Sequence, residues 1–266
     1  MFEMAESACG GERISRTRSA SERRRESRSR ALRVLIVTTL AIAPSLLAQD
    51  KPAAPAEKPA ASQPAGDLTP VEFKLPKPAF RGTPKDAPRG TNLEKPRSGP
   101  RPPFLAPRGT LNLAAGKPVT SSDSEPIVGS LKLVTDGDKE AADGSYVELG
   151  PGLQWVQIDL QQRAKLYALL VWRYHQNARI YHDVIIQISD DAEFKKDVKT
   201  VFNNDHDNTS KLGVGDDKEF WETYEGRLTE CAAAAGRYVR LYSNGSTADD
   251  QNHYTEIEVY GLPEKP

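Results

Sequence analysis

From Thr110 to the C-terminus apolar residues recur at every second position in short runs, and no stretch of ten or more keeps the spacing of an amphipathic helix. A strand sends successive side chains to opposite faces, so this pattern restricts the segment to sheets with a buried side. Residues 154–160 send Val156, Ile158 and Leu160 one way and Trp155, Gln157 and Asp159 the other. Residues 166–172 are apolar on both faces, as in a strand central to a sandwich. Residues 183–189 turn Val184, Ile186 and Ile188 inward, and Ser189-Asp190-Asp191 ends the run with turn chemistry. Residues 198–202, 220–224, 237–242 and 254–260 read as further strands. With one or two before residue 150 the count reaches about eight, which predicts an all-β, two-sheet jelly-roll sandwich over residues 109–266.

The preceding residues cannot follow the same rule. Fourteen of the 20 prolines fall between Pro52 and Pro107. The Ala-, Pro- and Lys-rich stretch 50–108 shows neither strand nor helix period, and predicts a disordered linker with too little apolar area to offset its ordering entropy. Fully extended, such a spacer reaches on the order of 180 Å at about 3.1 Å per residue. Upstream, residues 34–47 form a 14-residue apolar run broken only by Thr38, Thr39, Pro44 and Ser45, behind Arg28, Arg30 and Arg33. A charged region, an apolar region and small residues at Ala48 make a secretory signal peptide of residues 1–49. The run is shorter than the roughly 20 apolar residues that span a bilayer; an uncleaved anchor is the alternative. With no cysteine beside the cut to carry lipid, the mature chain is expected to be secreted, periplasmic or at the cell surface, and monomeric. Cys9 lies before the cut, so Cys231 has no intrachain partner and reads as a buried structural thiol.

The net charge of −1 hides an uneven chain, because residues 109–266 carry 16 basic against 26 acidic side chains. An acidic folding part repels phosphates and argues against a nucleic-acid partner. The chain is also too short, once the leading segments are set aside, for a large multidomain enzyme.

Six pieces of this C-terminal part, in order, resemble the discoidin or coagulation factor 5/8 type C domains and their bacterial relatives, the galactose-binding-like carbohydrate modules. They are residues 112–120 (Asn-Leu-Ala-Ala-Gly-Lys-Pro-Val-Thr), 134–138 (Val-Thr-Asp-Gly-Asp), 154–160, 188–191, 236–241 and 254–261. The resemblance implies a non-catalytic jelly roll with ligand-holding loops at one end and often a structural calcium ion. Two departures stand out. The terminal cysteine pair common in animal members is missing, so sheet pairing must hold the ends, and Tyr146 stands where a Trp usually follows the Asp-Gly turn.

Calcium takes six to eight oxygens, and a tight glycine turn lets carbonyls converge. Asp136-Gly137-Asp138 supplies two carboxylates, and Asp143-Gly144-Ser145 adds a carboxylate and a hydroxyl. The resemblance implies that Glu256 on the final strand closes this set. An EF-hand is excluded, because Glu140 and Ala141 occupy its fifth and sixth positions where the sixth requires Gly. Solvated acids at an Asp-Gly turn are the alternative reading.

Three segments concentrate the aromatic faces and planar hydrogen-bonding groups that suit sugars. Residues 174–183 hold Tyr174, His175, Arg179, Tyr181 and His182; residues 203–208 hold Asn203, Asn204 and His206; residues 244–253 end in Asn252 and His253. The resemblance implies a His, an Arg and an Asn around an aromatic, which His175, Arg179, Asn203 and Tyr174 or Tyr181 match in type. A glycan or cell-surface polysaccharide is therefore the expected partner. A cell-surface adhesion module for a protein or phospholipid is the alternative, although polar loop tips favour glycans. An enzyme has one argument, that Glu256 and Glu258 share a strand face at about 6.6 Å, a spacing suited to glycoside hydrolysis. The serine elbow, the zinc histidine pair and the P-loop are all missing from the sequence.

Overall fold

The computed structural model describes residues 67–79 and 92–264. The expected signal peptide, Cys9 and the rest of the expected linker lie outside the described residues. The strands are β1 (Leu68–Val71), β2 (Phe104–Pro107), β3 (Leu111–Asn112), β4 (Val119–Ser121), β5 (Val147–Leu149), β6 (Gln154–Trp172), β7 (Ile185–Ser189), β8 (Lys199–Asn203), β9 (Arg227–Ser243), β10 (Asn252–Tyr254) and β11 (Glu256–Pro263). A short 3-10 turn spans Leu131–Thr135. All pairings between these strands are antiparallel, and the architecture is the expected all-β sandwich.

Two long strands make the sandwich. The first half of β6, from Gln154 to Asp159, pairs with β4 and with the end of β9. Its second half, from Ala164 to Trp172, pairs with β11 and the start of β9. Between the halves the register slips, and Gln161 adopts φ +64, so the strand leaves one layer and enters the other. Strand β9 carries a matching irregularity at Ala232 and Ala233, with φ of 48 and 60. Alternation in β6 then does what its sequence requires: Val156, Ile158, Leu160, Leu166, Leu169 and Val171 enter one core with Val239, Leu241, Ile257 and Val259. The ends are held by pairing, as the missing cysteines demand, since β3 lies against β11 and the Asn112 side chain accepts the Val259 and Ala114 N–H groups at 3.0 Å. Cys231 is buried, and that burial pushes its thiol far above the usual range.

Two expectations are corrected. Residues 220–224 are not a strand; the missing strand is the first half of β9. Phe220 and Glu222 do point inward while Trp221 is half-buried, so the alternation is real, but Glu222 turns to a buried arginine instead of a neighbouring strand. The turn that follows needs its glycine: Gly226 has φ +65, and a Cβ there would stand 2.8 Å from the Trp172 ring.

The second correction concerns the spacer. Strands β1 and β2 form a pair that lies on the outer face of the second layer, where Phe104 and Ala106 pack on Ala168. Val71 and Phe73 cover Leu170, Trp172 and Tyr260, and Phe73 meets Tyr260 edge-on at 5.1 Å. The both-sides-apolar pattern of residues 166–172 has this cause, for its second face is covered by the segment read as linker. A few apolar residues among many prolines suffice, because the sheet already presents the complementary surface.

Candidate functional site

Strands β5 and β10 pair with His253 opposite Glu148 and Tyr254 opposite Val147. Alternation buries Val147, Leu149 and Tyr254 and turns Glu148 and His253 together to the other side. There His253 meets Tyr146 and Tyr174 at ring-centroid distances of 5.7 Å each, and the two tyrosines meet edge-on at 5.2 Å. The Arg179 guanidinium lies 4.6 Å over the Tyr174 ring. It is aimed by Asn177, which accepts from Nε at 2.9 Å, and by Asp249, which accepts from Nη1 at 3.0 Å.

The loops bearing these groups are tied together. Tyr181 bridges to Ser246, the Thr247 N–H donates to the Ile180 carbonyl at 2.9 Å, and the Ile180 N–H donates to Thr247 Oγ1 at 3.1 Å. Beneath them Arg173 is fully buried between the rings of Tyr181 and Tyr254, at 5.3 and 5.0 Å, and is paired with Glu222 at 3.5 Å. Burial pushes the Glu222 carboxyl up to about 7 against the pull of Arg173. Burial also raises the Tyr181 phenol, whose hydroxyl shares a 3.0 Å hydrogen bond with His253 Nδ1. His253 Nε2 lies 3.3 Å from a Glu148 oxygen. Desolvation lowers the His253 pKa, so the ring is neutral at pH 7. The result is two half-buried aromatic faces beside a fixed planar cation, a neutral imidazole and two carboxylates. Such a set can stack on the CH face of a ring and hydrogen-bond vicinal hydroxyls.

The expected ligand residues divide. Tyr174, Arg179 and His253 come together, with Tyr181 behind them. His175 does not join: it is fully buried, with Nε2 2.8 Å from the Lys139 carbonyl, because it ends on the core side of its turn. Asn203, Asn204 and Asn252 are corrected to scaffold. Asn203 spans the Gly213 carbonyl and the Asp205 N–H, and Asn204 accepts the Val184 N–H at 2.7 Å. Asn252 accepts from the Gly245 N–H and donates to the Gly150 and Gly152 carbonyls, all at 2.9 Å. The His182 ring lies 3.5 Å from Glu219, and His206 is exposed on the 203–208 loop. Tyr146 and Glu148 were outside the expected set, and the departure at Tyr146 from the resembled family was their one sequence signal; Asp249 lies in the expected 244–253 segment.

Around the expected calcium turn, Ser145 Oγ donates to Asp138 Oδ2 at 2.7 Å, and Asp136 Oδ1 accepts the Asp138 N–H at 2.9 Å. Glu256, 1% exposed, accepts the Gly137 N–H at 3.0 Å, with φ +93 at Gly137 opening the turn. Its carboxyl is pushed up to about 8 by burial first and by Glu258 second. No Lys, Arg or His among the described residues forms an ion pair with Glu256, since Lys139 goes to Glu258 at 2.7 Å. A buried carboxyl that burial holds protonated for want of a cation, beside an acidic glycine turn, would ionise onto a hard divalent ion. Asp143 is exposed, and no side-chain hydrogen bond or ion pair among the described residues brings it to this turn. A second acidic group was not expected: carboxylate oxygens of Asp183, Asp205 and Asp207 lie within 4.8 Å of one another and could hold a metal ion. These acids are already served, Asp183 by Thr209 and Asn244 at 2.9 and 2.8 Å, and Asp205 by Ser210. Burial alone would raise Asp205, but the Ser210 hydroxyl and N–H and the Thr209 N–H donate to it and hold the carboxyl low.

No family model and no curated protein matches the chain. Solved structures do. The chain is similar to a family 89 glycoside hydrolase of Clostridium perfringens in complex with GlcNAc-alpha-1,4-galactose, at 16% identity and a TM-score of 0.43, over 57% of this chain and 15% of the enzyme. It thus spans only a small part of that protein's length. It is also similar to the carbohydrate-binding module CBM32-4 of C. perfringens with the same sugar, at 14% identity, TM-score 0.42, over 58% of this chain and 96% of that one. A third is chitosan-binding module 1 of a chitosanase/glucanase from Paenibacillus sp. IK-5, at 21% identity, TM-score 0.37, over 57% and 99%.

Proposed function

We propose that this chain is an exported, non-catalytic glycan-binding module whose ligand sits on Tyr146, Tyr174, Arg179 and His253. The observation that carries the reading is the Arg179 guanidinium 4.6 Å over the Tyr174 ring, held by Asn177 and Asp249, with the His253 ring beside Tyr174. Residues from three separate segments converge there, with Tyr146 and Tyr174 half-buried and Arg179 and His253 each 5% exposed. The cluster suits a pyranose with an exposed CH face and neighbouring hydroxyls. Export rests on the charged-then-apolar leader of residues 1–49.

Catalysis by the paired glutamates lacks support, because Glu258 is held by Lys139 and by the Tyr260 hydroxyl at 2.7 Å, and Glu256 is sealed in the core. Calcium belongs to the proposal as a structural ion, held by the Asp136-Gly137-Asp138 turn and Glu256. It would supply the positive charge that Glu256 lacks and clamp β11 to the turn after Leu131–Thr135.

Isothermal titration of the full chain against galactose, N-acetylgalactosamine and N-acetylglucosamine tests the reading, with Arg179→Ala and Tyr174→Ala as variants. Saturable binding to one sugar, lost in both variants at an unchanged melting temperature, is expected. No binding to a glycan array, with capture of a protein or of phospholipid vesicles instead, sinks it in favour of adhesion. For calcium, chelation should lower the melting temperature of the native chain and leave Glu256→Gln unmoved; equal responses refute the ion.

A further inference from the structure

A cavity of about 470 Å³ opens where residues 94–101 lie against residues 220–228. That volume falls within the range of small-molecule sites, roughly 300–1,000 Å³. The 220–228 stretch supplies Trp221, Tyr224 and Arg227, and the leading segment supplies Arg97 and Arg101.

The charges do not balance. Arg97 pairs with Glu225 and Arg227 with Glu94, which accounts for both acids in the wall. Arg101 forms no ion pair among the described residues. Its Nη2 donates to the backbone carbonyls of Glu225 and Gly226, and burial first, then Arg97 and Arg227, lower its pKa against the pull of Glu225. Lys95 lines the wall as well, so its cations outnumber its two carboxylates, which Arg97 and Arg227 already hold, and an anion would answer the excess. The lining residues Trp221 and Arg227 also hold donors, Nε1 and Nε, that are shielded from solvent and have no hydrogen-bond partner among the described residues. Buried N–H groups without acceptors cost roughly 1–3 kcal/mol each, so a ligand bringing acceptors gains what the free wall forgoes. Beside them the Trp221 and Tyr224 rings offer flat apolar surface.

We infer that this cavity binds a carboxylate-bearing sugar unit, a uronosyl residue. Its carboxylate sits at Arg101, its ring lies on Trp221, and its oxygens accept from Trp221 Nε1 and Arg227 Nε. A neutral sugar would leave Arg101 unanswered, and a simple anion would leave the aromatic wall unused. The site is separate from the Tyr174 and Arg179 cluster and stands whether or not that cluster binds glycan.

The test follows intrinsic tryptophan fluorescence and titration heats of the full chain with D-galacturonate, its neutral methyl ester and galactose. Galacturonate should bind at least tenfold more tightly than the ester and weaken as salt rises from about 0.05 to 0.5 M. Trp221→Phe keeps a ring but deletes the donor, and Arg101→Gln deletes the charge; each should cost at least tenfold while Leu105→Ala, at an exposed position outside the cavity wall, costs nothing. Equal affinity for acid and ester, or no binding of galacturonate at 10 mM, overturns the inference without any variant. So does binding that survives Trp221→Phe and Arg101→Gln but fails in Arg179→Ala.

Discussion

Phe104→Ala should unfold the chain at a markedly lower temperature although Phe104 lies in a proline-rich stretch outside the sandwich proper. Phe104 is 8% exposed, packs on Ala168 and stacks on Phe73 at 6.3 Å. Core Phe→Ala changes cost about 3–5 kcal/mol. Several neighbours here are only half-buried and the site can partly collapse, so about 3 kcal/mol is the working figure. For a folded part of this size each kcal/mol moves the midpoint by about 2–4 °C, giving a fall of about 6–12 °C. The adjacent residue is the control: Leu105 is 48% exposed, and Leu105→Ala should stay within about 0.5 kcal/mol. Differential scanning calorimetry of the full chain measures both, and trypsin at Arg97 and Arg108 should cut Phe104→Ala faster than wild type. If the two alanine variants melt together, β1 and β2 do not pack as described and the account of the strand face at residues 166–172 fails.

Three further outcomes are expected. Asn252→Ala leaves the Gly245 N–H and two carbonyls unpaired and should cost about 3 kcal/mol in urea unfolding. Arg237 grips Asp159 through two bonds of 2.8 Å and holds its carboxyl below the usual range. A lowered folded-state pKa means stability that is present above about pH 4 and lost as pH falls through the folded value. Asp159→Asn should therefore cost up to about 1 kcal/mol at pH 7, as befits a partly exposed pair, and progressively less as pH falls below about 4. Cys231, with its thiol raised by burial, should resist Ellman's reagent in the native chain and react once in denaturant.

The sandwich was legible because β-alternation is a local code: Val156, Ile158 and Leu160 cannot all be buried in a helix. Arg179, Tyr174 and His253, which the structure brings together, were singled out in the sequence as polar and aromatic groups on loops. What failed was the sorting of similar residues. Asn252 and His253 are neighbours with opposite fates, because a strand sends one to the Gly150 and Gly152 carbonyls and the other to Glu148. His175 looked as available as His253 until its turn faced it inward.

By itself, then, the sequence determined the fold class, carried by alternation along each stretch of chain, and the acidic glycine turn; the link from that turn to Glu256 came only as what the resemblance implies. Tertiary structure decided which loop residues meet, that proline-rich segments cover the outer sheet, and that three arginines crowd one cavity. Those facts depend on pairings between residues as far apart as Arg101 and Glu225, and no local pattern encodes a contact across 124 positions.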